Sequence, residues 1–472
     1  MLLTGLLVAL WLTQVTVPLR LDRTPPSLSA NLAATYGLSL TGLARYVAVM
    51  AAASALYVAG VWAARRQEWR WCGGMRGQAS TLALATAPAL ALLPAHPAYS
   101  WDLFHYVGTA RVLVAHGANP HLAPPLAFAT DPLMSLSDWG WLPSPYGPLW
   151  TWVSAAVVVP VMHLGATSQV IALKSLAVLA CVATVWVGGD AAERLRPGWR
   201  AAATLLVAWN PLVLLHLAAD GHNDAVMLCL MAAGMWALVR GWDAGGIWAL
   251  AAACLVKPAA GAALVLAAVW LWRRGRRRAV AAGAAGALAL TVAGYAPLWS
   301  GVATLRATLG EGGYATTSVY AAALPLVGML IGDTAARTAL LLAPRLLFLV
   351  ALVEFGVHIR GSAADLTWTV TAAYLALITV GLPWVMPWYA LWPLVLAAMI
   401  PWQRSAAWPA LGLSLGALLM PVATAFLAPM SGQWGAWPPL HLIATVMTLT
   451  PMSMAVFAAW WTRRRIDPQR AR

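Results

Sequence analysis

Charged residues are scarce, making up 9% of the 472 residues against 61% hydrophobic. Soluble domains carry roughly a quarter charged residues, so this composition excludes a water-facing globular protein and leaves lipid as the main solvent. Acidic residues are scarcer still, with 15 Asp and Glu against 29 Lys and Arg. The only lysines are Lys174 and Lys257, so the net charge of +14 is essentially an arginine charge. Those arginines gather neither on a soluble face nor in base-reading motifs, so nucleic acid is not the implied partner. Cysteine is equally sparse. Cys72 falls in an arginine-rich stretch, and Cys181, Cys229 and Cys254 fall in apolar runs, so neither a disulfide framework nor a zinc site is expected.

What the chain does have is apolar runs of roughly 17 to 25 residues along its length, each able to cross a hydrocarbon core as a helix. Between them lie Arg65/Arg66/Arg70/Arg76, Arg194/Arg196/Arg200, Arg273/Arg274/Arg276/Arg277/Arg278 and Arg463/Arg464/Arg465. Short basic loops stay in the cytoplasm, so all four clusters are placed inside. Spans then fall near 1–19, 43–63, 79–96, 168–188, 203–219, 224–240, 279–298, 337–359, 366–382, 389–402, 406–428 and 440–461, with both termini inside. The first run lacks a basic leader and a small-residue cleavage site before Arg20, so it is read as a span and not as a signal peptide.

Parity adds two expectations. Residues 97 and 167 both fall outside, so the apolar run Leu149 to Leu164 lies along the interface or dips in and returns. Arg240 and Arg273 both fall inside, so the run from Gly246 to Trp272 returns to the side it left. Lys257-Pro258 interrupts that run after about ten apolar residues, roughly 15 Å of helix, which puts Lys257 at the tip of two short arms. Read as one long span instead, this run would invert the topology that follows it. The expected fold is all-α: one polytopic integral membrane domain over 1–472, with about 12 transmembrane helices, a juxtamembrane helix and a re-entrant hairpin. Its parts are a first large extracytoplasmic loop at 97–167, the hairpin at 246–272 and a second large extracytoplasmic loop at 299–336. Asp22, Asp102, Asp131, Asp138, Asp220, Asp224, Glu311 and Asp333 all fall outside, so chemistry is expected on the extracytoplasmic face of the cell membrane.

The candidates follow from that division. If residues 101–115 are helical, Asp102 and Tyr106 share a face, His105 lies beside them, and Arg111 sits two turns on. A carboxylate there can serve as a general base towards a hydroxyl, or it can simply cap the helix. The turn Ala219 to Asp224 crowds Asp220, His222, Asn223 and Asp224 beside the bilayer, where unpartnered polar groups are costly. Capping by Asn223 or Asp224 accounts for part of it and leaves His222 unexplained; the turn is not read as a metal site. Lys174, Lys257 and Arg345 lie inside apolar runs, facing an anion-filled cavity or snorkelling to headgroups. Gly381 to Pro393 packs three Trp and three Pro around an outer turn, as an aromatic belt or a shaped loop would.

Five stretches in order resemble the GT-C class of membrane glycosyltransferases: Asp102 to Pro120, Tyr146 to Trp150, Asn210-Pro211 with Gly221 to Asp224, Lys257-Pro258, and Pro387 to Pro393. They are most similar to polyprenol-phosphate-mannose-dependent alpha-1,6-mannosyltransferases of actinobacterial cell-envelope synthesis. The resemblance implies that Asp102 is the catalytic base, that 149–164 is a juxtamembrane helix and that Lys257 sits on a membrane-embedded hairpin. Many members of the class pair two acids in this loop, whereas Leu103 follows Asp102 here. That implies a metal-independent mechanism with no cofactor. The expected reaction is inverting transfer of a hexose, mannose by resemblance, from a polyprenyl-phosphate donor to a glycan or glycolipid acceptor. Tyr106, Arg111, Lys174, His222, Asp224, Lys257 and Arg345 are the candidate donor-binding residues, with Lys174, Arg345 and His222 placed to offset the leaving phosphate. A transporter or flippase for a lipid-linked substrate is the alternative; it predicts paired midplane charges and helix repeats, and no repeat is seen.

Overall fold

A computed structural model of the chain describes residues 2–11, 20–21, 26–27, 31–65, 74–310, 315–432 and 438–466. Asp22, Arg66, Arg70, Cys72, Glu311 and residues 12–19 of the first expected span lie outside the described residues, as do the side chains of Arg76, Arg463, Arg464 and Arg465. The fold is all-helical, with 79% helix and no strands among the described residues.

Among the described residues, seven helices are long and apolar enough to cross a membrane: Leu40–Arg65, Ala166–Leu195, Arg277–Leu298, Asp333–His358, Ala363–Gly381, Arg404–Met430 and Pro439–Thr462. They become eight if Arg200–Ala208 and Val213–Ala219 form one bent span. The expected count was about twelve, which is not confirmed, and two of the expected spans are short or interrupted. The expected span 389–402 contains a regular helix only over Leu391–Ala397, after a tight turn that starts at Pro387. The expected span 224–240 is a 16-residue helix, Asp224–Val239. At 1.5 Å per residue that covers roughly 24 Å, short of a hydrocarbon core of about 30 Å. Within the expected outer loop 299–336, Val319–Ile331 forms a further apolar helix whose Leu326, Met329 and Leu330 are exposed.

The described chain divides into two compact units. The first comprises Met1–Gly37, Trp69–Val187 and Val213–Gly313, and it holds all but one of the sequence-predicted site residues. The helix Arg277–Tyr295 leaves Leu288 and Val292 exposed, the pattern of a lipid-facing helix. In the second unit, Leu38–Glu68, Gly188–Leu212 and Tyr314–Arg472 pack around buried polar contacts. Tyr46 Oη donates to Leu418 O at 2.6 Å, Tyr57 Oη to Leu206 O at 2.8 Å, and Asn210 Nδ2 to Ser414 Oγ at 2.9 Å. Gly412 and Gly416, four residues apart on one helix face, let the backbone of Pro451 and Thr448 approach so closely that any side chain would collide. In lipid, where apolar burial drives little association, such close approach supplies packing. Arg345 belongs to this unit and donates from Nη1 to Leu341 O of its own helix.

Candidate functional site

The first unit gathers polar side chains from four stretches of chain. The helix Asp102–Val114 opens on Asp102, preceded by Trp101. Trp101 makes no side-chain cap, and two tyrosine hydroxyls face the Asp102 carboxylate: Tyr146 Oη, which donates at 3.4 Å, and Tyr106 Oη, which lies 3.5 Å away. Asp102 is therefore turned into the protein and does not close off its helix. Tyr106 is one turn on, as helical spacing requires, and fully buried. Its hydroxyl donates to Asn223 Oδ1 at 3.1 Å and lies 3.4 Å from His222 Nδ1. His222 Nδ1 is in turn 3.7 Å from Asp102 Oδ2. Asn223 precedes the helix Asp224–Val239 without capping it.

Lys257 arrives from the end of the helix Asp243–Val256. The residue before a proline avoids helical backbone, and Lys257 accordingly has φ −148 and ψ 122, so the helix stops there. Its ammonium donates to Asp224 Oδ2 at 2.9 Å and lies 5.8 Å from the Tyr146 ring centroid. Gly147 explains how Tyr146 gets so close. Its N–H donates to Val256 O at 3.0 Å, and a Cβ there would lie 2.1 Å from Leu255 O, so only glycine allows the two chains to touch. Trp150 and Tyr146 pack edge-on against Tyr106, with ring centroids at 5.0 and 5.3 Å.

Charge sets the chemistry. Asp102 keeps 17% exposure, Lys257 13% and Asp224 none. Burial pushes the Asp102 carboxyl up to about 6, with Lys257 pulling it down and Asp224 adding to the rise. A carboxylate so placed is ionised at neutral pH and basic enough to take a proton from a hydroxyl. Burial pushes the His222 imidazole well down, with the charges of His216 and Lys257 acting the same way. His222 is thus a neutral hydrogen-bonding group, not the cation expected beside a phosphate. Lys257 is the cation that stands in the cluster.

Of the sequence-predicted residues, Asp102, Tyr106, His222, Asp224 and Lys257 come together, and three others are placed elsewhere. Lys174 is fully buried, donating to Leu92 O at 3.1 Å and to Ala95 O. Its ammonium is occupied by carbonyls of the turn that follows the helix Gly74–Ala91. Arg111 forms an ion pair with Asp131 at 2.6 Å, and His116 Nε2 lies 3.2 Å from the same carboxylate oxygen, so Asp131 is pinned to the helix Asp102–Val114. Arg345 bonds its own helix in the second unit.

Asp220 has a structural task that its place in the turn did not reveal. Its Oδ1 accepts the N–H groups of Ala98 and Tyr99 at 3.2 and 3.1 Å, and its Oδ2 meets His216 Nδ1 at 3.0 Å. Charge-assisted bonds of this kind tie the turn to the chain just ahead of Asp102. His216, Asp220 and His222 are also the three residues whose ligand atoms converge within 4.8 Å, so they could hold a metal ion. Each already has a protein partner: Asp220 has the backbone and His216, and His222 has Tyr106. Tyr146 and Asn223 belong to the site although sequence reasoning gave neither a chemical role. The sequence signals were their presence in the Tyr146 to Trp150 and Gly221 to Asp224 stretches and, for Asn223, the crowding of polar residues in its turn.

Comparison with known proteins bears on this geometry directly. Residues 5–274 match the family described as alpha-(1->6)-mannopyranosyltransferase, N-terminal domain. The chain is 28% identical over 427 residues to alpha-(1->6)-mannopyranosyltransferase A of Mycobacterium tuberculosis, covering 84% of this chain and 78% of the relative. It is 27% identical over 413 residues to alpha-(1->6)-mannopyranosyltransferase B of Corynebacterium glutamicum, covering 78% and 65%. A probable alpha-(1->6)-mannopyranosyltransferase of Mycolicibacterium smegmatis is 32% identical over 168 residues, covering 35% and 29%. The matched family region takes in Asp102, Tyr106, Tyr146, the 219–224 turn and Lys257, and spans over half the chain, so the protein belongs to the alpha-(1->6)-mannopyranosyltransferase family.

Proposed function

We propose that the protein is an inverting mannosyltransferase that moves mannose from a polyprenyl-phosphate carrier to a hydroxyl of a glycan or glycolipid acceptor on the extracytoplasmic face. The observation that carries the reading is the meeting of Asp102, with its raised pKa, and the buried Asp224–Lys257 pair at 2.9 Å. The acceptor oxygen attacks C1 of the mannosyl group while Asp102 takes its proton. The bond from C1 to the phosphate oxygen breaks, and polyprenyl phosphate leaves as a monoester carrying one more negative charge. Lys257 offsets that charge in a site of low dielectric. Tyr146 donates to the Asp102 carboxylate, and Tyr106 stands beside it. In this reading the short helices on either side of Lys257-Pro258 form a hairpin that enters the membrane and returns, and the carrier's tail lies among lipid-facing helices.

Membranes containing the protein, given labelled polyprenyl-phosphate hexoses and nucleotide sugars in parallel, are expected to transfer mannose from the polyprenyl-phosphate donor to lipid-linked or oligosaccharide products. Transfer from a nucleotide sugar in purified protein would overturn the donor assignment. Sidedness has its own check. Single cysteines at Ser135, which is exposed on the first outer loop, and at Gln403 are expected to differ in intact cells, with only the first reacting with an impermeant thiol reagent. Labelling of Gln403 alone would invert the topology.

A further inference from the structure

Tyr106 stands between two buried donors with nothing to donate to. Its hydroxyl is 3.1 Å from Asn223 Oδ1, and its ring packs on Trp150. Asn223 is 1% exposed and Trp150 is 2% exposed. Asn223 Nδ2 and Trp150 Nε1 have no hydrogen-bond partner among the described residues. Leaving such a donor unmet costs its full desolvation, so a buried one beside a reactive carboxylate calls for a ligand. Turning the Asn223 amide over does not remove the vacancy. Nδ2 would then face the Tyr106 hydroxyl, and an unmet oxygen would take its place. The position therefore suits a partner that both accepts and donates. A hydroxyl does both, whereas a phosphate oxygen only accepts and a prenyl tail does neither.

We infer that Asn223 binds a sugar hydroxyl next to Asp102 and is a specificity-determining residue of the transfer reaction, with the Trp150 indole N–H as a second donor to the same sugar. The inference rests on the glycosyl-transfer reading above and adds the residue that selects the sugar. Tyr106 holds one end of the amide at 3.1 Å, so the other end is left for the substrate. A site built to bond one hydroxyl rejects the analogue lacking it far more strongly than a merely apolar pocket does.

The test uses two series of monodeoxy sugars, one in the mannosyl donor and one in the acceptor, with wild-type protein, Asn223→Ala and Trp150→Phe. Wild type is expected to use one analogue roughly 30-fold less efficiently in kcat/KM than the parent sugar. Asn223→Ala is expected to fall to that same level with the parent sugar and to lose nothing further with that one analogue. The series in which this happens identifies the sugar that is held. Trp150→Phe, which keeps the ring and removes the N–H, is expected to show a smaller loss of discrimination. Should Asn223→Ala fail to accumulate in membranes, Asn223→Ser, which retains an oxygen for Tyr106, is read the same way. Equal losses of the variant on every analogue, or wild-type protein indifferent to every deoxy position, would overturn the inference. Absence of transfer by wild type from every parent donor would instead overturn the functional reading beneath it.

Discussion

Asp102→Asn is expected to slow transfer by roughly 100-fold or more, the scale of losing general-base assistance, while the protein still inserts and folds. Asparagine is nearly isosteric, and its amide oxygen can still accept from Tyr146, so the surrounding contacts survive. Stability should hold or rise, for a reason of sign. The folded-state pKa of Asp102 is raised to about 6, so the folded protein binds this proton more tightly than the unfolded chain. Stability from the protonated form is then present at low pH and is lost as pH rises through about 6. At neutral pH the ionised carboxylate opposes folding, and the neutral amide does not. The same pKa fixes the pH profile. Because the base must be ionised to act, wild-type kcat/KM should rise with pH through about 6 and level off above it. Near-normal turnover in Asp102→Asn, or a rate that falls as pH rises through that value, would remove Asp102 from the role of base.

Lys257→Met is expected to cost the protein about 3 kcal/mol of stability as well as its donor use, because removing one partner strands a buried charge. Asp224 has no exposure, and its Oδ2 takes the ammonium at 2.9 Å. The double variant Lys257→Met with Asp224→Asn is expected to recover most of the thermal stability, since no uncompensated charge is left. It should not recover transfer. Thermal unfolding in detergent, read beside donor kinetics, separates the two effects. Recovery of both stability and rate in the double variant would make the pair a structural device with no part in leaving-group chemistry.

Much of this site can be read from spacing alone. Asp102 and Tyr106 are one helical turn apart, and that turn exists in the structure. Lys257-Pro258 is legible as a break because proline constrains the residue before it, and the backbone at Lys257 is extended. Pairing across long stretches is not legible in this way. Nothing local to Lys174 shows that its ammonium meets carbonyls at Leu92 and Ala95, some 80 residues away. Likewise, Arg111 is oriented by Asp131, which reaches it only through the fold of the intervening chain. The number of spans is only partly legible for a related reason. Apolarity along a run does not say where a turn that opens on a proline cuts it, as at Pro387–Ala390.

The central claim is an inverting transfer from polyprenyl phosphate, and the stereochemistry of one turnover meets it most directly. Purified protein would be given polyprenyl-phosphate mannose as its alpha or its beta anomer, with an oligomannose acceptor, and the new linkage read by NMR. The account predicts that only the beta donor is consumed and that the product carries a new alpha-(1->6) linkage. Consumption of the alpha donor to an alpha product would contradict it, since that outcome retains configuration and requires a second displacement on the protein.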